Sequence, residues 1–147
     1  MITGDATGVQ SRKIAIRGIK MATIRLRPHH LTAIEDYLYR PKETVEQLRN
    51  CGYSSEYIEN ERSTIWKILT ERDCMVEIVP SLDDLCRACQ PSELKKLSCH
   101  SNDTEAHMAY MKDLGLAVGK PYAARDIVKR IQDRREIRNI FAEAQRR

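Results

Sequence analysis

The stretch DDLCRACQPSELKKLSCH, residues 83–100, constrains this chain most, because it sets three cysteines into a polar segment with no apolar face of its own. Cys86 and Cys89 stand two residues apart, and nine residues separate Cys89 from Cys99. A Cys-x2-Cys pair lets two thiolates converge on one ion from a tight turn. Pro91 and the polar run from Ser92 to Lys96 then return the chain so that Cys99 can approach. Soft thiolates select zinc or iron–sulfur clusters over hard cations such as magnesium. The competing readings are a redox dithiol, whose thioredoxin-like context is lacking, and coincidence in a polar loop.

With 147 residues and 41% hydrophobic content, the chain is expected to form one globular domain around one modest core. It contains no 18-residue apolar run and no apolar leader, so no membrane association is expected and a cytoplasmic location is the default. Cytosolic thiols stay reduced, which turns five cysteines into an argument for metal or redox chemistry rather than disulfides. Cys51 and Cys74 sit alone beside apolar residues and read as small buried hydrophobes.

The net charge of +4 is unevenly spread. Residues 1–20 hold four basic side chains against Asp5, and the last 26 hold eight against four acids, leaving the middle at −3. Nucleic-acid binders usually gather positive charge on one folded face. The terminal arginines here interleave with Asp126, Asp133, Glu136 and Glu143, the pattern of a solvated helix face, which argues against nucleic acid as a partner.

Residues 1–20 mix Gly, Thr and Ser with basic residues without a sustained period and read as a flexible tail, with a single globular domain over 21–147. Order is expected from Met21, where ATIRLR alternates as a half-buried strand. Pro28 suits a first helical turn, and Leu31, Ile34 and Leu38 give the next segment an apolar face ending at Pro41. A helix over roughly Glu43 to Asn50 follows, then a longer one capped by Ser54 or Ser55. Its stripe of Tyr57, Ile58, Ile65, Trp66, Ile68 and Leu69 is expected to be buried. CMVEIV, residues 74–79, reads as a second short strand. After the cysteine loop come a helix through about Leu114, a turn over AVGKPY, and a last helix from Ala123 to roughly Gln145. That helix carries Ile127, Val128, Ile131, Ile140, Phe141 and Ala144 at helical spacing. The expected fold is α+β, mostly α, with about five helices, two short strands and a cysteine loop between helices.

His29 and His30 form a second constellation. Adjacent helical residues point about 100° apart, so the plain expectation is one buried and one surface imidazole. They also open a helix directly after Arg25 and Arg27, an electropositive setting suited to an anionic ligand or a thiolate-bound cluster. Asp83 and Asp84 precede Cys86 and read either as a turn cap or as carboxylates that orient a metal ligand.

RLRPHHL, GYSSEYIEN, VEIVPSLDDLCRAC and a lone cysteine before a helix ending LGLAVG occur here in that order. Over roughly residues 23–130 the chain thereby resembles a small bacterial and archaeal family of domains of unknown function, described as iron–sulfur binding. The resemblance implies a cluster held by loop cysteines and by one cysteine near the RPHHL helix, and it supplies no reaction. The family motif reads RPHHLLC, whereas Ala33 stands at the cysteine position here. Cys86, Cys89 and Cys99 therefore remain without a fourth thiolate. His29 and His30 lie four and three residues before Ala33 and are the first substitutes, followed by His107 and His100, with Cys51 more remote. The cofactor expected is an iron–sulfur cluster, with zinc on three Cys and one His as the alternative.

Two functions fit. One is a small metal-binding protein with an accessory or redox role and a redox protein partner; no general acid–base pair or activated nucleophile stands out. The other is a non-enzymatic module binding RNA or protein, its metal site degenerate. If residues 1–20 are a tail, a chain beginning at Met21 should keep the melting temperature of the full chain. A drop of several degrees would show that the tail packs on the domain.

Overall fold

The computed structural model describes residues 23–80, 82–86 and 105–146. Strand β1 (Thr23–Leu26) leads through a 3-10 turn at Pro28–His30 into α1 (Leu31–Tyr39), α2 (Pro41–Asn50) and α3 (Ser55–Thr70). Then come β2 (Met75–Ile78), α4 (Glu105–Asp113), β3 (Pro121–Ala123) and α5 (Ala124–Gln145). The fold is α+β and mostly α, as the periodicities suggest.

The three strands lie in the order β1-β2-β3. β1 and β2 run parallel, with Ile24 opposite Val76 and Leu26 opposite Ile78. A parallel pair needs a long crossover, and α1, α2 and α3 supply it. β3 pairs antiparallel to β2, with Tyr122 opposite Val76. It was hidden in what reads as a turn because it is three residues long and begins at a proline. Pro121 is tolerated because it opens an edge strand.

The alternation in β1 places Ile24 and Leu26 inward and Thr23 and Arg25 outward. Against the sheet pack Leu31 and Ile34 of α1, Ile65 and Ile68 of α3, and Ile127 and Ile131 of α5, all nearly or fully buried. Each such side chain contributes about 1.5–3 kcal/mol on leaving water. Ser54 caps α3, its hydroxyl accepting from the Tyr57 N–H at 3.1 Å. α4 ends at Gly115, whose φ of +71° favours glycine. The Leu116 N–H then bonds back to the Met111 carbonyl at 3.1 Å, closing the helix end.

Several apolar residues depart from expectation. Trp66 is 65% exposed, because Ile65 and Ile68 already face the core and Trp66 lies off that face. Ile140 and Phe141 are exposed as well, on the part of α5 beyond Ile131 where no described side chain is buried. Cys51 is exposed at the end of α2, whereas Cys74 is buried as its setting suggests. Both His29 and His30 are buried, so neither is the surface imidazole expected of a plain histidine pair. Residues 1–22 lie outside the described residues, and the flexible-tail reading with them.

Candidate metal centre

β1 and β2 end side by side, and the chain beyond each end meets at one place. The Val79 N–H donates to the Leu26 carbonyl at 2.9 Å, carrying the ladder one step past the strands. Asp84 then clamps the outer strand. Its N–H donates to the Arg25 carbonyl at 3.1 Å, and its Oδ2 accepts from the Arg25 N–H at 2.8 Å. The Asp84 carbonyl accepts from Asn60 Nδ2 at 3.1 Å, tying the segment to α3.

Asp83 is held inside this clamp. Its Oδ1 accepts from the N–H groups of Leu85 and Cys86, both at 3.0 Å, so it caps the turn that presents Cys86. Its Oδ2 accepts from the Arg27 N–H at 2.7 Å and meets His30 Nδ1 at 2.5 Å. Burial works to raise the Asp83 pKa, but the His30 contact and the N–H groups outweigh it and hold the carboxyl at about 2. An ionised carboxylate is acceptor only, so the Nδ1 of His30 carries the proton that joins them. Asp83 thus caps the turn through Oδ1 and holds the His30 ring through Oδ2.

A ring nitrogen of His30, a carboxylate oxygen of Asp83 and the Cys86 sulfur all lie within 4.8 Å of one another, and all three residues are buried. Burial pushes the Cys86 thiol up to about 11, with the neighbouring Asp83 charge adding to the effect. In a nucleophilic Cys–His–Asp arrangement the imidazole lies between thiol and carboxylate and the thiol pKa falls. Here Asp83 lies between His30 and Cys86, and the thiol pKa rises. That order is wrong for an activated nucleophile, and the three donor atoms form a candidate metal site. A metal ion that binds the Cys86 sulfur displaces the thiol proton.

The other sequence candidates are placed as follows. The His29 ring lies tilted, its centroid 4.0 Å from that of His30 and 5.4 Å from that of His107, so three imidazoles gather on the 3-10 turn and α4. Arg25 lines a small surface cavity of about 210 Å³ beside Asp83, Asp84 and Cys86. Arg27 is buried, contrary to the outward position its place after β1 suggests. Cys89, Cys99 and His100 lie outside the described residues. Ala33 lines a cavity of about 260 Å³ together with His29 and His30, and the thiol on that cavity is Cys51, not Cys86.

Sequence reasoning passed over Glu61. This carboxyl is only 4% exposed and accepts hydrogen bonds from the Tyr37 and Tyr57 hydroxyls, each at 3.0 Å. Burial raises its pKa above the ordinary carboxylate value, partly offset by the two phenols and by His30 nearby. The signal was its place on the face of α3 that also carries Tyr57, Ile65 and Ile68, where an acid is out of pattern.

Among the described residues, no helix is long and apolar enough to cross a membrane. No curated protein and no solved structure matches the chain. Residues 52–145 match the family described as "Protein of unknown function (DUF1284)". The matched span holds the GYS block, the cysteine loop and the LGL turn, and begins after the RPHHL segment. By that match over more than half of its length, the chain belongs to this family of unknown function.

Proposed function

We propose that this is a small metal-binding protein whose centre is built by Cys86, Cys89 and Cys99 of the loop and completed by His30. The observation that supports it is the convergence of His30, Asp83 and Cys86. These residues are 53 and three positions apart in sequence, the first pair at 2.5 Å. Asp83 fixes the His30 ring by the carboxylate–histidine contact typical of metal-bound imidazoles. His29 packs beside His30, and His107 in turn beside His29. A mixed set of thiolates and one imidazole favours zinc, while the family resemblance favours an iron–sulfur cluster. Bound there, a zinc ion would supply structural bracing or Lewis acidity, and a cluster would supply electron transfer to a redox protein partner.

The binding test follows from the thiol. Because Cys86 is held protonated up to about 11, metal must displace its proton. Affinity of the full chain for zinc, measured by competition with a chromophoric chelator, should rise about tenfold per pH unit for each proton released. A pH-independent affinity between pH 6 and 8 would remove Cys86 from the ligand set.

A second reading, a protein-binding module, draws on the free end of α5, where Ile137, Ile140 and Phe141 are all more than half exposed. Apolar side chains there favour a protein surface over RNA phosphates.

A further inference from the structure

The 260 Å³ cavity behind His30 has a chemistry distinct from that of the metal centre. Its mouth is at the end of α2, where Gln47 and Cys51 are exposed, and Glu61 lies at its buried end. One wall is aromatic: Tyr53 and Tyr57 stack with ring centroids 4.6 Å apart. Ala33 and Leu48 add apolar surface.

Charge is one-sided. Asp36 and Glu61 both line the cavity, and no lysine or arginine among the described residues does. Asp36 pairs with Arg40 at 3.0 Å on the outside. Among the described residues Glu61 accepts from the neutral phenols of Tyr37 and Tyr57, while His30, also on the cavity wall, is held by Asp83. A buried carboxyl whose hydrogen bonds come from neutral groups gains most from an incoming cation. An aromatic wall adds cation–π and stacking contact for the same ligand. The volume falls below the ~300–1,000 Å³ of drug-sized sites, which limits the ligand to a fragment-sized molecule.

We propose that this cavity binds a small organic cation, a primary amine on a compact aromatic or apolar body, with its ammonium against Glu61 and its body along Tyr53 and Tyr57. The site shares His30 with the proposed metal centre but does not require a bound ion. A divalent metal is a poorer occupant, because the Cys51 sulfur is not grouped with the imidazoles or carboxylates within ligand reach.

The test uses the full chain, stripped of metal with chelator, and three probes of one shape: benzylamine, benzyl alcohol and benzoate. Binding is followed by calorimetry, and site occupancy by the rate at which iodoacetamide modifies Cys51, read by mass spectrometry. Benzylamine should bind at least about tenfold tighter than either probe, the worth of one well-made charge contact, and should slow Cys51 modification at saturation. Glu61→Gln, if its melting curve remains cooperative, should abolish the preference for the amine. Cys86→Ser, which disables the metal centre, should leave amine binding unchanged. Equal binding of the three probes, no binding of benzylamine, or binding without protection of Cys51 would each overturn the proposal. All three readings are made on the unaltered chain, so they stand even if Glu61→Gln fails to fold.

Discussion

Replacing Asp83 with alanine should cost this domain about 3–5 kcal/mol, because several buried donors lose their acceptor at about 1–3 kcal/mol each. One carboxylate serves four donors: the N–H groups of Arg27, Leu85 and Cys86, and the ring of His30. Its side chain is fully buried, so no water can take over those bonds. The melting temperature should fall on the order of 10 °C, and Asp83→Asn, which keeps an acceptor oxygen, should lose less. A fall of only about 2 °C for Asp83→Ala would mean that the clamp around β1 is not held by this residue. The same carboxylate gives an acid signature. Its pKa is depressed in the folded chain, to about 2 from 3.8. The stability it contributes, roughly 2 kcal/mol, is therefore present above pH ~4 and lost as the pH falls toward 2. Acid unfolding of the Asp83→Asn variant should accordingly be less steep over that interval than that of the parent.

The second large effect concerns metal. Cys86→Ser, Cys89→Ser and Cys99→Ser should each remove most bound metal, lowering affinity by about 100-fold or more as a thiolate is lost. His30→Ala should do nearly as much, because it takes away both a donor and the partner of Asp83. Cys51→Ser and Cys74→Ser should retain metal, since one thiol lies on a separate cavity and the other is buried at the start of β2. Metal-to-protein ratios after gel filtration decide the matter. Equal loss in the Cys51 or Cys74 variants would break the assignment of a single loop centre. His29→Ala serves as the neighbouring control: it lightens the packing on His30 but leaves the His30–Asp83 contact in place.

What could be read from sequence here follows from how local each signal is. The strand alternation of Ile24 and Leu26, the Ser54 cap and the LGL helix end are written within a few residues, and each appears as expected. β3 was not legible because three residues carry no period. Apolar spacing failed for Ile140 and Phe141 because spacing cannot tell how far along a helix burial continues. At the site, Cys86 and His30 were legible as residue types with metal chemistry. Their meeting through Asp83 was only half legible, because the parallel pairing of β1 with β2 brings together positions 53 apart. Glu61 shows the opposite case: an acid on an otherwise apolar helix face is a local signal, and its meaning emerges only with Tyr37 from another helix.

The most direct test of the metal centre is elemental analysis of the full chain purified without oxygen, read with its visible spectrum. About one zinc per chain without colour, or iron with matching acid-labile sulfide and sulfur-to-iron absorption, is the expected result, and either must be lost in Cys86→Ser. A folded chain that carries no metal, and takes up neither zinc nor iron and sulfide on reconstitution, would contradict a metal centre at His30 and Cys86.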